Sequence, residues 1–92
     1  MYVVVRSYSA QGASELFDLL AQREEHVKAL ISGVPGFYSY VRSDDGGMTV
    51  TICEDKAGPD ESSRRAAEWV KENVNTTVSP PVITEGSTVL QF

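Results

Sequence analysis

Cysteine, histidine and tryptophan each occur once in these 92 residues, and no run of lysine and arginine occurs at all. A single Cys53 excludes an internal disulfide framework and any four-cysteine metal site within one chain. One histidine with no cysteine or histidine beside it is a poor metal site, so neither metal nor cofactor is expected. The formal charge of −5 would be repelled by nucleic acid or by an anionic membrane surface, which sets both aside as main partners. No apolar window approaches the length of a membrane span. The opening Met1-Tyr2-Val3-Val4-Val5-Arg6 is too short for a signal peptide and has no basic leader, so a cytoplasmic location is expected. Asn75-Thr76-Thr77 matches a glycosylation acceptor, and without secretion the match is expected to be chance. A Cys-x-x-Cys loop is absent, and no glycine-rich anion cradle precedes the first helical pattern; a copper carrier and a phosphate cradle are thereby excluded. No internal repeat or low-complexity tract is visible.

What is present is an ordinary globular composition, 41% hydrophobic and 23% charged. Residues 1–92 form one domain, near the size at which a partner surface helps stability. Tyr2 to Ser9 reads as a strand, with Tyr2, Val4, Arg6 and Tyr8 on one face and Val3, Val5 and Ser7 on the other. Gly12 breaks it. Ser14 is placed as a helix cap, and Leu16, Leu19, Leu20, Val27, Leu30 and Ile31 recur at helical spacing. One helix is therefore predicted to about Ser32, with Gly33 as its left-handed stop.

Gly33-Val34-Pro35-Gly36 separates that helix from two alternating runs, Phe37–Arg42 and Met48–Glu54. They read as an antiparallel hairpin closed around Asp44-Asp45-Gly46-Gly47, whose glycines supply the positive φ of a tight turn. A second helix is predicted from Pro59, with Ala66, Ala67, Trp69, Val70 and Val74 as its buried stripe. Pro80-Pro81 introduces a last extended segment, Val82 to Phe92, with Gly86 as a bulge or bend.

Strand, helix, strand, strand, helix, strand, joined by right-handed crossovers, puts strands one and three side by side with both helices on one face. This is the ferredoxin-like α+β arrangement. Met48, Val50 and Ile52, with Phe37 and Val41, are taken as the face under the helices. The other face would then carry Tyr2, Val4, Arg6 and Tyr8 from the first strand. To these it adds Tyr38, Tyr40 and Arg42 from the second strand, and Thr49, Thr51 and Cys53 from the third. Such a surface is too aromatic to be left in water and too polar for a dry core. It packs on a second copy, binds nucleic acid, or lines a small-molecule site. The third strand offers threonines where an RNA-recognition sheet needs stacking aromatics. A self-complementary patch closes by two-fold symmetry, so a homodimer is expected.

Gly33-Val34-Pro35-Gly36-Phe37 after an amphipathic helix, the Thr49-Val50-Thr51-Ile52 strand, Glu54-Asp55-Lys56, and Ser63-Arg64-Arg65-Ala66-Ala67-Glu68-Trp69-Val70 resemble the dimeric α+β barrel proteins. More narrowly, they are similar to bacterial members related to antibiotic-biosynthesis monooxygenases. The resemblance covers about residues 2 to 90. It implies two sheets facing each other across a dimer axis, with a ligand cleft between sheet and helices. Some members oxidise aromatic polyketides without metal or flavin; others degrade haem or isomerise lactones. Haem-degrading members use an Asn, a Trp and a His on a helix. Here the second helix has Trp69 and no histidine, which argues against that activity.

Two function classes follow. One is a cofactor-independent monooxygenase acting on a small aromatic or polyketide-like molecule. The other is a non-catalytic dimeric module, ligand-binding or structural. For the first, His26 and Tyr8 are the candidate catalytic groups, and Arg6, Tyr38, Tyr40, Arg42, Thr51 and Trp69 the candidate substrate-binding ones. Arginine and tyrosine together can hold an anionic or phenolic molecule in a low-dielectric cleft. The same residues can equally pair across a dimer interface. Trp69 is either a pocket wall with an indole N–H to offer or a core side chain. His26, at the border of the first helical stripe, is either an acid–base group or a half-exposed surface residue. Cys53 has acidic neighbours that disfavour a thiolate, so it is read as inert packing.

Overall fold

The computed structural model describes residues 1–74 and 77–92; Asn75 and Thr76, and with them the glycosylation-like triplet, lie outside the described residues. The elements are β1 (Tyr2–Tyr8), α1 (Ala13–Gln22), α2 (Glu24–Leu30), β2 (Phe37–Ser43), β3 (Gly46–Cys53), α3 (Ala57–Asn73) and β4 (Val82–Ser87). All pairings are antiparallel, in the order β2-β3-β1-β4, so β1 does lie beside β3. Among the described residues this is an α+β fold of four antiparallel strands and three helices.

The predicted single first helix is two. Every residue from Ala21 to His26 is exposed, so no packing holds that stretch straight, and Arg23 leaves helical geometry at φ −116°, ψ 34°. Ser14 is not the cap; Gly12 is, at φ 82°. A Cβ at Gly12 would also press on the Thr77–Val78 backbone, where Ser79 N–H donates to Gln11 O at 2.9 Å. Gly33, at φ 86°, takes the left-handed stop expected of it. The last strand ends at Ser87, and Val89, Leu90 and Phe92 beyond it are exposed. α3 starts two residues before Pro59, with Ala57 N–H donating to Asp55 Oδ1 at 3.0 Å. Pro59 is still in the first turn, where a missing N–H costs nothing. Pro59, Ser62 and Trp69 are buried along α3, whereas Ala67 is exposed.

The hairpin also differs from expectation. Ser43 pairs with Gly46, so the loop is Asp44-Asp45 alone, and no residue other than glycine has positive φ among those described. Gly46 and Gly47 belong to β3 because bulk is excluded there. A Cβ on Gly46 would overlap the Tyr8 carbonyl, and one on Gly47 would lie 2.5 Å from Phe17 Cε2. Phe17 packs against Gly47, edge-on to Tyr8 with ring centroids 5.9 Å apart. Gly47→Ala is expected to destabilise by about 1–3 kcal/mol through overpacking, measured by urea denaturation.

The largest correction concerns the two faces of the sheet. Register places Tyr38, Thr51 and Val4 in one cross-strand row and Tyr40, Thr49 and Arg6 in the next. This is the face the helices cover: Val4 and Thr51 are 3% exposed and Cys53 is 2%. Thr51 is buried and Tyr38 half-buried beneath the helices, Tyr40 on the same face stays 37% exposed, and Val50 and Ile52 point away. The row expected in the core is the bare one. Phe37 is 61% exposed and Val82 73%, with Val41 and Met48 exposed as well. The physical reason is volume. Gly47 makes room for Phe17, and the small Cys53 for Gly58 at the start of α3, so the helices can come close on this face.

At one end of the helical layer Arg65 ties α3 to α2. It donates to Leu30 O at 3.1 Å and Ser32 O at 2.9 Å, and its Nε donates to Glu61 at 3.0 Å. Glu61 also accepts from Arg64 at 2.7 Å. These two guanidiniums hold the Glu61 carboxyl at about 2, below its ordinary 4.5. A carboxylate whose folded value is depressed stabilises above its unfolded value, and that contribution is lost as pH falls through the folded one. The stability difference between the wild type and Glu61→Gln is therefore expected to be present at neutral pH. It should close between about pH 4.5 and 2, as read from thermal melts across that range.

Candidate functional site

The covered face and the helices leave a cleft of about 330 Å³ between them. Its sheet wall is the paired rows just described: Arg6, Tyr8, Tyr38, Tyr40, Thr49 and Thr51. Its helical wall is Leu16 and Leu20 of α1, Val27 and Leu30 of α2, and Ala66 and Trp69 of α3. The α3 positions recur at helical spacing, Ser62 and Ser63, then Ala66 and Ala67, then Trp69 and Val70, so one side of the helix looks into the cleft. Their small side chains leave the space that Trp69 then bounds. Val78, Pro80, Pro81 and Ile83 complete the lining from the connector and β4.

Of the residues singled out from sequence, Arg6, Tyr8, Tyr38, Tyr40, Thr51 and Trp69 all line this cleft. Arg42 does not. It is exposed, pairs with Asp18 Oδ1 at 2.7 Å, and borders an adjoining groove of about 430 Å³ that shares Leu20, Val27, Tyr38 and Tyr40 with the cleft. Nor does His26, which is exposed on α2. Its Nδ1 accepts the Trp69 indole N–H at 3.1 Å, an arrangement that fixes the indole of Trp69 rather than offering the imidazole to the cleft. The rings meet edge to face, with centroids 5.8 Å apart. Trp69 thus has both roles considered for it: it is buried core and cleft wall. Phe37 and Ile52, taken from sequence as lying under the helices, are on the opposite face.

Burial raises the hydroxyls of Tyr8 and Tyr40 above the ordinary tyrosine value, with Arg6 pulling each partly back. Burial, then the adjoining Cys53 thiol, pushes Tyr38 up to about 12. Tyr38 donates to Val34 O at 2.9 Å, its oxygen 3.9 Å from Cys53 Sγ. All three tyrosines are protonated at neutral pH, so they are donors and not bases. No aspartate, glutamate or histidine lines the cleft among the described residues.

Ser63 was missed from sequence. Its hydroxyl donates to Pro59 O at 2.6 Å and accepts from Arg6 Nη2, so α3 positions the guanidinium. The signal was available: Ser62-Ser63 falls one helical turn before Ala66-Ala67 on the stripe that reaches Trp69. Among the described residues no cluster of three or more His, Cys, Asp or Glu could hold a metal, and no helix is long and apolar enough to cross a membrane. In comparisons with protein-family models and with curated proteins, nothing matches this chain.

Proposed function

We propose that this chain binds a small aromatic or polyketide-like molecule in the cleft between sheet and helices, and that it does so as a homodimer of the ferredoxin-like α+β barrel type. The observation that carries the reading is the cleft itself. At about 330 Å³ it falls in the range of small-ligand sites, and its apolar walls carry a few convergent polar groups. Adjacent central strands β1 and β3 support the ferredoxin-like arrangement, with its first helical arm broken in two.

The bare face supports the dimer. Register assigns to it Val3, Val5 and Ser7 of β1 and Phe37, Ser39 and Val41 of β2. Met48, Val50 and Ile52 of β3 and Val82 and Thr84 of β4 complete it. None of these is charged, in a chain 23% charged. Depletion of charge over a contiguous apolar surface marks the centre of an interface. A second copy is its natural occupant, because one patch closes on itself across a two-fold axis.

A second reading, cofactor-independent monooxygenation, draws on Arg6. A cation beside the ligand favours the enolate or phenolate from which such chemistry starts. With no carboxylate or imidazole on the cleft wall among the described residues, the ligand itself would have to be acidic, and binding is the better-supported function. Titration with 2-naphthol, followed by NMR, tests it. The Trp69 indole N–H and the Thr51 and Ala66 methyls are expected to shift. Shifts confined to Val41 and Met48 on the bare face would contradict the proposal.

A further inference from the structure

We propose that the cleft selects ligands carrying one anionic group, held by the Arg6 guanidinium with the Tyr8 and Tyr40 hydroxyls beside it; this rests on the cleft being a small-molecule site. Among the described residues Arg6 is the only charged one on the cleft wall, in a chain whose net charge is −5. Each of the other arginines for which an ion pair is seen has a carboxylate: Arg42 has Asp18, Arg64 has Glu61 and Glu68, and Arg65 has Glu61. Arg6 has none within ion-pair distance among the described residues. Its one hydrogen-bond partner there is the neutral Ser63 hydroxyl.

A guanidinium has five N–H donors in a planar fork that matches a carboxylate two bonds at a time. Ser63 takes one and fixes the fork. Among the described residues no buried side-chain nitrogen or oxygen lacks a partner, so the remaining donors lie where solvent or a ligand reaches them, and Arg6 lines the cleft. Arg6 shares a cross-strand row with Thr49 and Tyr40 and sits two residues from Tyr8 on the same face. These hydroxyls are protonated donors, so they add to an anion's hold without competing for its charge. Leu16, Leu20 and Trp69 line the helical side of the cleft, where an apolar ring would lie. The ligand class is therefore an aromatic or polycyclic body bearing a carboxylate or an acidic enol.

Calorimetric titration with 2-naphthoate and with 2-naphthamide, which share a ring system and differ in charge, tests this. Wild type is expected to prefer naphthoate by about tenfold, the scale of one charged hydrogen-bonding contact. Arg6→Gln should erase the preference, and Arg64→Gln, which removes the same charge from the outer surface, should keep it. Equal binding of the two probes by wild type, or a naphthoate affinity untouched by Arg6→Gln, overturns the anion subsite while leaving the cleft a binding site. Binding of neither probe by wild type removes the site and this inference together. If Arg6→Gln does not fold, the wild-type ratio and its decline with added salt still decide the matter.

Discussion

Replacing Trp69 by alanine is expected to lower the unfolding free energy by about 3–5 kcal/mol, the range for removing a large buried aromatic. Trp69 is 4% exposed, links α3 to α2 through His26, and forms part of the cleft wall. The void left behind would open into a cleft that is already there and that water can enter, so the lower half of the range is expected. Trp69→Phe should retain most of the packing but leave His26 Nδ1 without its donor. Because His26 is exposed and can turn to water, that loss is expected to be about 1 kcal/mol or less. Urea denaturation of both variants measures the difference. If Trp69→Ala proved as benign as Trp69→Phe, the indole would not be part of the core.

Placing a charge on the bare face should halve the mass in solution. Met48 lies on β3, one strand in from the edge, and is exposed in the single chain, so Met48→Glu should leave the fold of the protomer intact. In a dimer closed over this face the same carboxylate would be buried without a partner, at a cost of several kcal/mol per ion. The two-fold axis enters that cost twice. Sedimentation equilibrium is expected to report a dimer for wild type and a monomer for Met48→Glu, with unchanged circular dichroism. A wild type that sediments as a monomer would leave the uncharged surface without a purpose.

Much of this architecture is legible in the sequence, and the part that is not has a definite physical origin. Gly33, the Pro35-Gly36 break and the alternating hairpin place the elements, and the right-handed crossover rule puts β1 beside β3. Alternation, however, says which residues share a face and not which face the helices take. Both rows of β1 can be buried, since Tyr2, Val4 and Tyr8 are nearly as apolar as Val3 and Val5. The deciding signals were Gly47 in the tyrosine row, where a helix must come close, and the complete lack of charge in the valine row. An arginine in a strand suggests solvent; Arg6 instead extends along the covered face to a serine on α3. Six of the residues singled out from sequence line the cleft, while the sheet faces the opposite way from the one expected, because the tyrosine–arginine row is polar enough to pass for an outer surface. His26 and Arg42 lie off the cleft wall for a simpler reason. A position at the border of a helical stripe or at a strand end does not fix where a long or planar side chain points.

Native mass spectrometry of the protein purified from its source brings these elements together in one experiment. The predicted result is a species of twice the 10.0 kDa chain mass that retains a small acidic aromatic molecule. A bare 10.0 kDa monomer with no added mass would contradict it.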